Sequence, residues 1–169
     1  LNSAAERLFD RENRVVKLFD PPFDGAKNPG YIKGYARGFR ENGGQYTHAA
    51  VWLALAQLER GDARGGLDTL LALLPSERGD AYRAEPYVLA ADVYANPEHV
   101  GRGGWSWYTG AAGWYLRAVV EGLFGVTVRG GEVTAVSRVP QGFGSFRVTL
   151  KIGGKMVVIT ENGETADDN

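Results

Sequence analysis

Residues 40–58 read RENGGQYTHAAVWLALAQL, a polar turn with two adjacent glycines that leads directly into an almost wholly apolar run. We expect a helix to begin at Gln45 or Thr47, because residues 49–58 leave hardly any polar face. A helix that is apolar on all sides has to be buried. The stretch therefore predicts an inner helix with a cluster of polar side chains at its start.

The residues that follow predict a second helix packed against the first. Asp62 is a plausible N-cap for ARGGLDTLLALL (63–74), whose leucines form one stripe, and Pro75 ends the pattern. We expect the pairing to recur downstream in the mostly apolar EPYVLAADVYA (85–95) and in a long buried helix over 109–126. Inner helices paired with outer ones are typical of a layered α/α toroid.

The two ends of the chain differ in character. SAAERLFDRE (3–12) predicts a helix capped by Asn2 or Ser3, followed by an extended segment and a glycine-rich loop over 24–46. After Gly125 the pattern changes to β-branched runs that turn at Gly130-Gly131 and Gly153-Gly154. We therefore predict a mainly α fold over 1–124, a C-terminal β part of about four short strands over 125–160, and a disordered tail over 161–169.

Composition limits the classes of function. The chain has 169 residues, of which 44% are hydrophobic, so it can bury a core. Nineteen basic against 20 acidic residues give a net charge of −1, which argues against nucleic acid or an anionic membrane as a partner. Without cysteine and with only two histidines, neither a disulfide scaffold nor a metal site is expected. The segment contains no apolar run long enough for a membrane span, and its start at Leu1, within a helical pattern, predicts a piece of a longer protein.

The candidate functional residues are polar groups and aromatic rings that follow one another along the chain. Flat apolar rings beside carboxylates and amides are suited to binding a sugar. Some of the candidates also have a purely structural explanation. His48 can be a helix residue with its hydrogen bonds satisfied, the WSWY run (105–108) can be core packing, and Glu85 can be an N-cap. The candidates are Arg40, Glu41, Asn42, Gln45, His48, Glu85, Asp92, Arg102, Trp105, Trp107, Tyr108, Thr109 and Gly110.

Four long motifs, taken together, resemble one enzyme family. They are GYIKGYARGFRENGGQYTHAAVW (30–52), YRAEPYVLAADVY (82–94), GRGGWSWYTGAAGWYLRAVVEGLFGV (101–126) and VPQGFGSFRV (139–148). These look like the C-terminal part of the inverting glycoside phosphorylases, the cellobiose and chitobiose phosphorylase family, and more closely like the phosphorylase-like C-terminal region of cyclic β-1,2-glucan synthases. The resemblance implies the last helices of an (α/α)6 barrel followed by part of a β-sandwich or small antiparallel sheet.

The resemblance also implies roles for particular residues. His48 of the E-N-G-G-x-x-x-H motif, with Thr109 and Gly110, matches the residues that bind phosphate. Arg40 and Glu41 match residues that line the acceptor-sugar subsite, and Gln45, Asp92 and Trp107 are expected to bind substrate. The implied partners are a β-glucan oligosaccharide, inorganic phosphate as co-substrate and the rest of the parent polypeptide, with no cofactor.

Two departures from the family pattern bear on activity. Cellobiose phosphorylases carry a glutamine after E-P-Y where this chain has Ala91 and Asp92, which argues against a β-1,4-glucoside. The family's general acid lies upstream in a W-x-D-W-N-D-like segment, and no WND occurs here. We therefore expect a glucan-acting piece that supplies the phosphate-binding side and is inactive by itself. A non-catalytic glucan-binding module, and a scaffold without ligand, are the alternatives.

Overall fold

The computed structural model describes residues 1–25, 28–107, 109–161 and 163–166, with backbone only for Thr109 and for residues 163–166. The described chain contains helices and small antiparallel sheets; strands follow the last helix, as the sequence predicts, whereas the paired two-residue strands among the helices were not predicted. The elements are α1 (Asn2–Leu8), β1 (Phe9–Asp10), β2 (Val15–Val16), β3 (Gln45–Tyr46), α2 (Thr47–Glu59), α3 (Ala63–Leu73), β4 (Asp92–Val93), α4 (Thr109–Arg117), β5 (Val126–Arg129), β6 (Glu132–Ala135), β7 (Arg147–Ile152), β8 (Lys155–Thr160) and β9 (Gly163–Ala166).

The hairpin of α2 and α3 forms the centre of the main core. Helix α2 begins at Thr47, one of the two predicted starts, and α3 is capped by Asp62, whose carboxylate accepts a hydrogen bond from the Gly65 N–H at 2.9 Å. The two helices approach closely at Gly66, where a Cβ would overlap the Leu58 side chain. The core between them is formed by Ala50, Val51, Ala54, Leu58, Leu67, Leu70 and Leu73.

Two helices are less buried than the sequence predicts. Trp52 on α2 is 51% exposed and Leu116 on α4 is 64% exposed, so neither helix is covered on all sides. The reason is that α2 is packed on one side by α3 and on another by α4, which leaves an apolar face of each helix without a neighbour in the described chain. At the N-terminus, α1 begins at Asn2 with Leu1 in the cap position, so neither Asn2 nor Ser3 caps it.

The predicted helix over 85–95 does not form. This segment contains only the two-residue strand β4, which pairs antiparallel with β3 so that Tyr46 lies opposite Asp92 and Gln45 opposite Val93. Residues of this segment are buried through long-range pairing with β3 instead. Short 3₁₀ segments occur at Pro75–Glu77 and Gly79–Tyr82, after the predicted end of α3.

Helix α4 continues into a π-helical segment, Ala118–Leu123, in place of one uninterrupted helix. The Arg138 guanidinium donates hydrogen bonds to the carbonyl oxygens of Glu121 at 3.1 Å and Gly122 at 3.0 Å. The Arg138 N–H also bonds to the Leu123 carbonyl at 2.8 Å. The end of the last helix is therefore held by a residue from the β part of the chain.

The C-terminal part consists of a hairpin, β5–β6, and a three-stranded sheet, β7–β8–β9. Both glycine pairs lie in the turns where they were predicted, between β5 and β6 and between β7 and β8. Strand β9 was not predicted, since residues 163–166 were expected in a disordered tail. They pair with the edge of β8 that β7 does not occupy, where β8 offers free backbone groups. Residues 162 and 167–169 of that predicted tail lie outside the described residues.

The N-cap of α3 gives a stability test. Replacing Asp62 with Ala removes the acceptor for the Gly65 N–H, and we expect the free energy of unfolding to fall by about 1 kcal/mol. Asp62→Asn keeps a capping oxygen and is expected to remain within a few tenths of a kcal/mol of the unaltered chain. Urea denaturation followed by circular dichroism measures both. Equal losses in the two variants would contradict the assignment of the cap.

Candidate functional site

A polar pocket forms where the loop before α2 meets β4. It is a cavity of about 160 Å³ lined by Arg40, Glu41, Tyr46, Ala91 and Asp92. Three of the residues predicted to bind substrate, Arg40, Glu41 and Asp92, thus come together although 51 positions separate Glu41 from Asp92. The β3–β4 pairing accounts for this, since it places Tyr46 directly opposite Asp92.

The loop that carries Arg40 and Glu41 is held in one conformation by Asn42. This residue is 2% exposed; its side-chain oxygen accepts a hydrogen bond from the Phe23 N–H at 2.8 Å, and its amide nitrogen donates to the Tyr35 carbonyl at 2.8 Å. The Gly44 N–H closes the turn on the Arg40 carbonyl at 3.0 Å. Arg40 itself has φ +46°, a left-handed conformation that is unusual for a non-glycine residue.

The Asp92 carboxylate lies at the base of the pocket and is only partly satisfied. One of its oxygens, Oδ1, accepts a hydrogen bond from the Trp105 N–H at 3.1 Å. The other, Oδ2, is buried and has no hydrogen-bond partner among the described residues. The Arg40 Nη1 atom lies 3.9 Å from Oδ1, which is an ion-pair distance and too long for a hydrogen bond.

The Arg40 guanidinium is fixed by rings rather than by hydrogen bonds. Its Cζ atom lies 4.2 Å from the Trp105 ring centroid and 5.5 Å from that of Tyr35. Arg40 Nε lies 3.6 Å from Glu41 Oε2, and both atoms are buried with no hydrogen-bond partner in the described chain. Buried charges without hydrogen bonds are costly, so this arrangement is suited to a polar ligand that supplies the missing partners.

His48 lies in the first turn of α2 and faces the start of α4. A Cβ built at Gly110 would be 3.6 Å from His48 Nδ1 and 3.7 Å from Cε1, so the imidazole lies directly against this helix start. The His48 Nε2 atom is buried and has no hydrogen-bond partner among the described residues. Thr109 begins α4, but its side chain lies outside the described part of the structure. Two of the three predicted phosphate-binding residues, His48 and Gly110, are therefore adjacent.

Aromatic rings surround the His48 imidazole. Its ring centroid lies 4.8 Å from that of Trp52, 5.9 Å from that of Trp114 and 6.0 Å from that of Tyr46, with the Tyr46 ring inclined by only 24°. Since Tyr46 also lines the polar pocket, it connects the predicted phosphate-binding side to the predicted sugar-binding side. Tyr46 was not among the predicted site residues, although it lies between the glycine pair and His48 in the sequence.

Gln45 lies apart from the polar pocket. It is 1% exposed, and its amide bonds to protein groups at both ends: Oε1 accepts from the Val16 N–H at 3.0 Å, and Nε2 donates to Thr47 Oγ1 at 3.1 Å. These bonds hold β2 against the start of α2. The structure therefore gives the Gln45 side chain a supporting position and does not bring it to the candidate site.

Trp107 lies on the surface, outside the residues that line the polar pocket. It is 66% exposed, and its indole N–H donates a hydrogen bond to Glu85 Oε1 at 2.9 Å. Trp105, expected beside it, is 56% exposed and packs against Arg40 instead. Tyr108, the third predicted ring, lies outside the described residues. The WSWY run is therefore not core packing at its two described tryptophans.

Within the described ranges, His, Asp and Glu side chains form no group of three that could hold a metal ion. No helix in the described part of the chain has the length and apolar character needed to cross a bilayer.

Comparison with known proteins gives the family. Residues 1–125 match the model of the Glycosyl hydrolase 94 superfamily, catalytic domain, and the chain belongs to this superfamily. It is 42% identical over 161 residues to the cyclic beta-(1,2)-glucan synthase NdvB of Rhizobium meliloti (strain 1021). It is 32% identical over 127 residues to the solabiose phosphorylase of Paenibacillus borealis, and 28% identical over 132 residues to the N,N'-diacetylchitobiose phosphorylase of Vibrio furnissii.

These alignments cover most of this chain and little of its relatives. The alignments to NdvB, the solabiose phosphorylase and the diacetylchitobiose phosphorylase cover 91%, 72% and 74% of this chain, respectively. They cover only 6%, 16% and 16% of those three relatives. The resemblance to glycoside phosphorylases and to cyclic β-1,2-glucan synthases is confirmed. The chain corresponds to a small portion of each of these proteins.

The close approach at Gly104 gives a test of the pocket geometry. A Cβ at this position would overlap the Asp92 carboxylate, so Gly104→Ala forces the carboxylate or the backbone to move. We expect the free energy of unfolding to fall by about 1–3 kcal/mol.

Gly113→Ala is the matched control for Gly104→Ala, because a Cβ at residue 113 meets nothing within 4 Å. It lies inside α4, where alanine is favoured over glycine by about 0.5–1 kcal/mol. Urea denaturation of both variants measures the difference. An unchanged stability in Gly104→Ala would contradict the described contact with Asp92.

The buried Asp92 carboxyl predicts a dependence of stability on pH. Burial raises its pKa above the ordinary value of 3.8, against the opposing effects of the Trp105 N–H and Arg40. The folded protein then holds a proton that the unfolded chain has released. As the pH rises from 3.8 through the folded-state pKa, this residue therefore lowers stability, and Asp92→Asn is expected to abolish that contribution. Denaturant titrations of both proteins from about pH 4 to pH 7 measure it. Parallel pH profiles would contradict the prediction.

Proposed function

We propose that this chain supplies the phosphate-binding and acceptor-sugar side of a phosphorylase-like site that acts on a β-glucan, with β-1,2 linkages, within a cyclic β-1,2-glucan synthase. One observation carries the proposal: Arg40, Glu41 and Asp92, each with a buried polar atom that lacks a partner in the described chain, line one pocket, and Tyr46 connects this pocket to His48 beside the start of α4. Membership of the superfamily supports a glucan-acting enzyme as the parent protein.

The proposed architecture is the C-terminal part of an (α/α)6 barrel. In this arrangement α2, α3 and α4 are its last helices, and preceding helices of the longer protein cover the exposed apolar faces around Trp52 and Leu116. The much greater length of the relatives supports this assignment, since they have ample chain to complete such a barrel.

In the proposed site, phosphate binds beside His48 at the N-terminal end of α4. The first N–H groups of a helix lack partners within it and attract anions. The His48 Nε2 atom supplies a further donor, and the rings of Tyr46, Trp52 and Trp114 hold the imidazole in place. At Gly110 the imidazole packs directly against the start of α4, and the Thr109 hydroxyl is assigned to the same anion by family resemblance.

The acceptor sugar is assigned to the polar pocket. Its volume of about 160 Å³ suits a single sugar ring, and its walls offer charged donors and acceptors with the Tyr46 ring beside them. Arg40 Nε can donate to a hydroxyl oxygen, whereas Glu41 Oε2 and Asp92 Oδ2 can each accept from a hydroxyl. Asp92 follows Ala91 in the segment where cellobiose phosphorylases carry glutamine, which supports a linkage other than β-1,4.

The proposed reaction needs one carboxylic acid and no resident cofactor. A phosphate oxygen attacks the anomeric carbon, the bond from that carbon to the glycosidic oxygen breaks, and a general acid protonates the departing oxygen. Phosphate takes the role that water and a base have in an inverting hydrolase. The general acid is assigned to a segment outside these 169 residues, so the chain by itself is expected to bind ligands without turnover.

One observation favours a second candidate function, a glucan-binding module without catalysis. Trp107 exposes most of its ring to solvent, and an exposed ring is suited to stacking on a sugar whether or not phosphate binds. The two functions differ in their use of phosphate. Only the phosphorylase-like site requires an anion beside His48.

Phosphate titration of the 169-residue chain, followed by NMR of its backbone amides, tests the proposal. We expect the Gly110 amide to shift and His48→Ala to weaken phosphate binding by roughly tenfold to a hundredfold, the cost of one hydrogen bond to a charged group. His99→Ala is the matched control, because it replaces the other histidine, which packs on Phe39 away from the pocket lining.

The outcomes separate the candidate functions. If phosphate leaves the Gly110 amide unshifted while glucan still binds, the glucan-binding module is the better assignment. If His48→Ala and His99→Ala weaken phosphate binding equally, the assignment of phosphate to His48 is wrong.

A further inference from the structure

Two exposed aromatic rings face each other outside the polar pocket. Tyr87 is 75% exposed and Trp107 is 66% exposed, and their ring centroids lie 6.2 Å apart with the planes at 70°. We call this pair the aromatic corner. Since both rings keep most of their surface in water, they contribute little to the core, and burial of apolar area does not explain their position.

The Trp107 ring is held in place by a carboxylate. Its indole N–H donates to Glu85 Oε1 at 2.9 Å. Hydrogen bonds from the backbone N–H of Glu85 and from Trp107 lower the pKa of the Glu85 carboxyl, which keeps it ionised. A ring fixed in this way loses little conformational freedom when a ligand stacks on it.

The backbone of Trp107 adopts a conformation that costs free energy. Its φ is +62°, a region that bulky residues rarely occupy and that costs about 1–3 kcal/mol. No glycine occupies this position, although glycine would adopt the conformation freely. Strained residues of this kind are concentrated at binding sites, where the surrounding structure holds them.

The two segments that carry the aromatic corner are each close in sequence to residues that line or support the polar pocket. Two residues before Trp107, the Trp105 N–H donates to Asp92 Oδ1 at 3.1 Å, and the Trp105 carbonyl accepts from the Ala91 N–H. On the other segment, Tyr87 precedes Asp92 by only five positions. Short stretches of chain therefore connect the aromatic corner to the residues that hold the Asp92 carboxylate.

We propose that the aromatic corner is a further sugar subsite, which binds a pyranose ring of the β-glucan chain beyond the ring held in the polar pocket. A pyranose has an apolar face formed by its C–H groups and a rim of hydroxyls. The apolar face stacks on Trp107, the Tyr87 ring closes one side, and the ionised Glu85 carboxylate accepts a hydrogen bond from a sugar hydroxyl. This inference rests on the proposed function, because it assigns the same glucan to both sites.

The test measures how affinity depends on glucan length. Glucose and a linear β-1,2-linked gluco-oligosaccharide of six glucose units are titrated into the 169-residue chain by calorimetry. We expect Tyr87→Ala and Trp107→Ala each to weaken binding of the longer glucan by roughly twofold to tenfold, the range for loss of one aromatic contact. Binding of glucose, the single ring assigned to the polar pocket, is expected to be unchanged.

Phe143→Ala is the matched control. Phe143 is also exposed, and it belongs to an aromatic pair of the same 6.2 Å separation, with Phe146, in the β part of the chain. Its loss should leave both affinities unchanged. Because Tyr87 is largely exposed, its replacement is not expected to unfold the chain, and circular dichroism checks this for each variant.

The possible outcomes distinguish this inference from the proposed function. If Asp92→Ala weakens binding but Tyr87→Ala and Trp107→Ala bind the longer glucan like the unaltered chain, the corner is no sugar subsite and serves another contact, while the proposed function stands. If the corner variants weaken binding but Asp92→Ala and phosphate have no effect, the subsite is supported and the phosphorylase-like function fails. If neither glucose nor the longer glucan binds, both are overturned.

Discussion

The β3–β4 pairing is the contact on which the candidate site depends. It consists of only two residue pairs, Gln45 with Val93 and Tyr46 with Asp92. Further backbone bonds extend it, from the Thr47 N–H to the Ala91 carbonyl at 2.9 Å and from the Gly104 N–H to the Asp92 carbonyl at 2.9 Å. Three segments far apart in sequence thus meet at the first turn of α2. This pairing is the contact that brings the carboxylate of Asp92 close to Arg40.

Local chemistry explains why some of the fold could be predicted from the sequence. The start of α2, the cap at Asp62 and the turns at Gly130-Gly131 and Gly153-Gly154 each depend on residues within a few positions of one another. The segment 85–95 was predicted as helix because it is apolar, yet apolar residues are equally suited to a strand or a buried loop. Its partner lies more than 40 positions away, and no local pattern reveals such a partner.

The candidate site shows the same division between local and long-range information. Arg40, Glu41, Asp92 and His48 were predicted from motif and chemistry, and the structure places them around one connected region. Of two neighbours in the same turn, Gln45 was predicted to bind substrate and Tyr46 was not. Once they form a strand, alternation sends Gln45 into the core at 1% exposed and leaves Tyr46 at 40% exposed. The pairing with β4, which the sequence does not reveal, therefore decides which neighbour reaches the pocket.

The hydrogen bonds of Arg138 connect the two parts of the chain that differ in secondary structure. The match to the superfamily ends at residue 125, close to where the helices give way to strands. Yet the carbonyl groups of Glu121, Gly122 and Leu123 find their donors on Arg138, beyond that point. The helix that begins beside His48 is consequently stabilised at its C-terminal end by hydrogen bonds from Arg138. A cut placed at residue 125, where a boundary drawn from similarity alone would put it, would remove the Arg138 donors of three carbonyls and let the helix fray from that end toward His48.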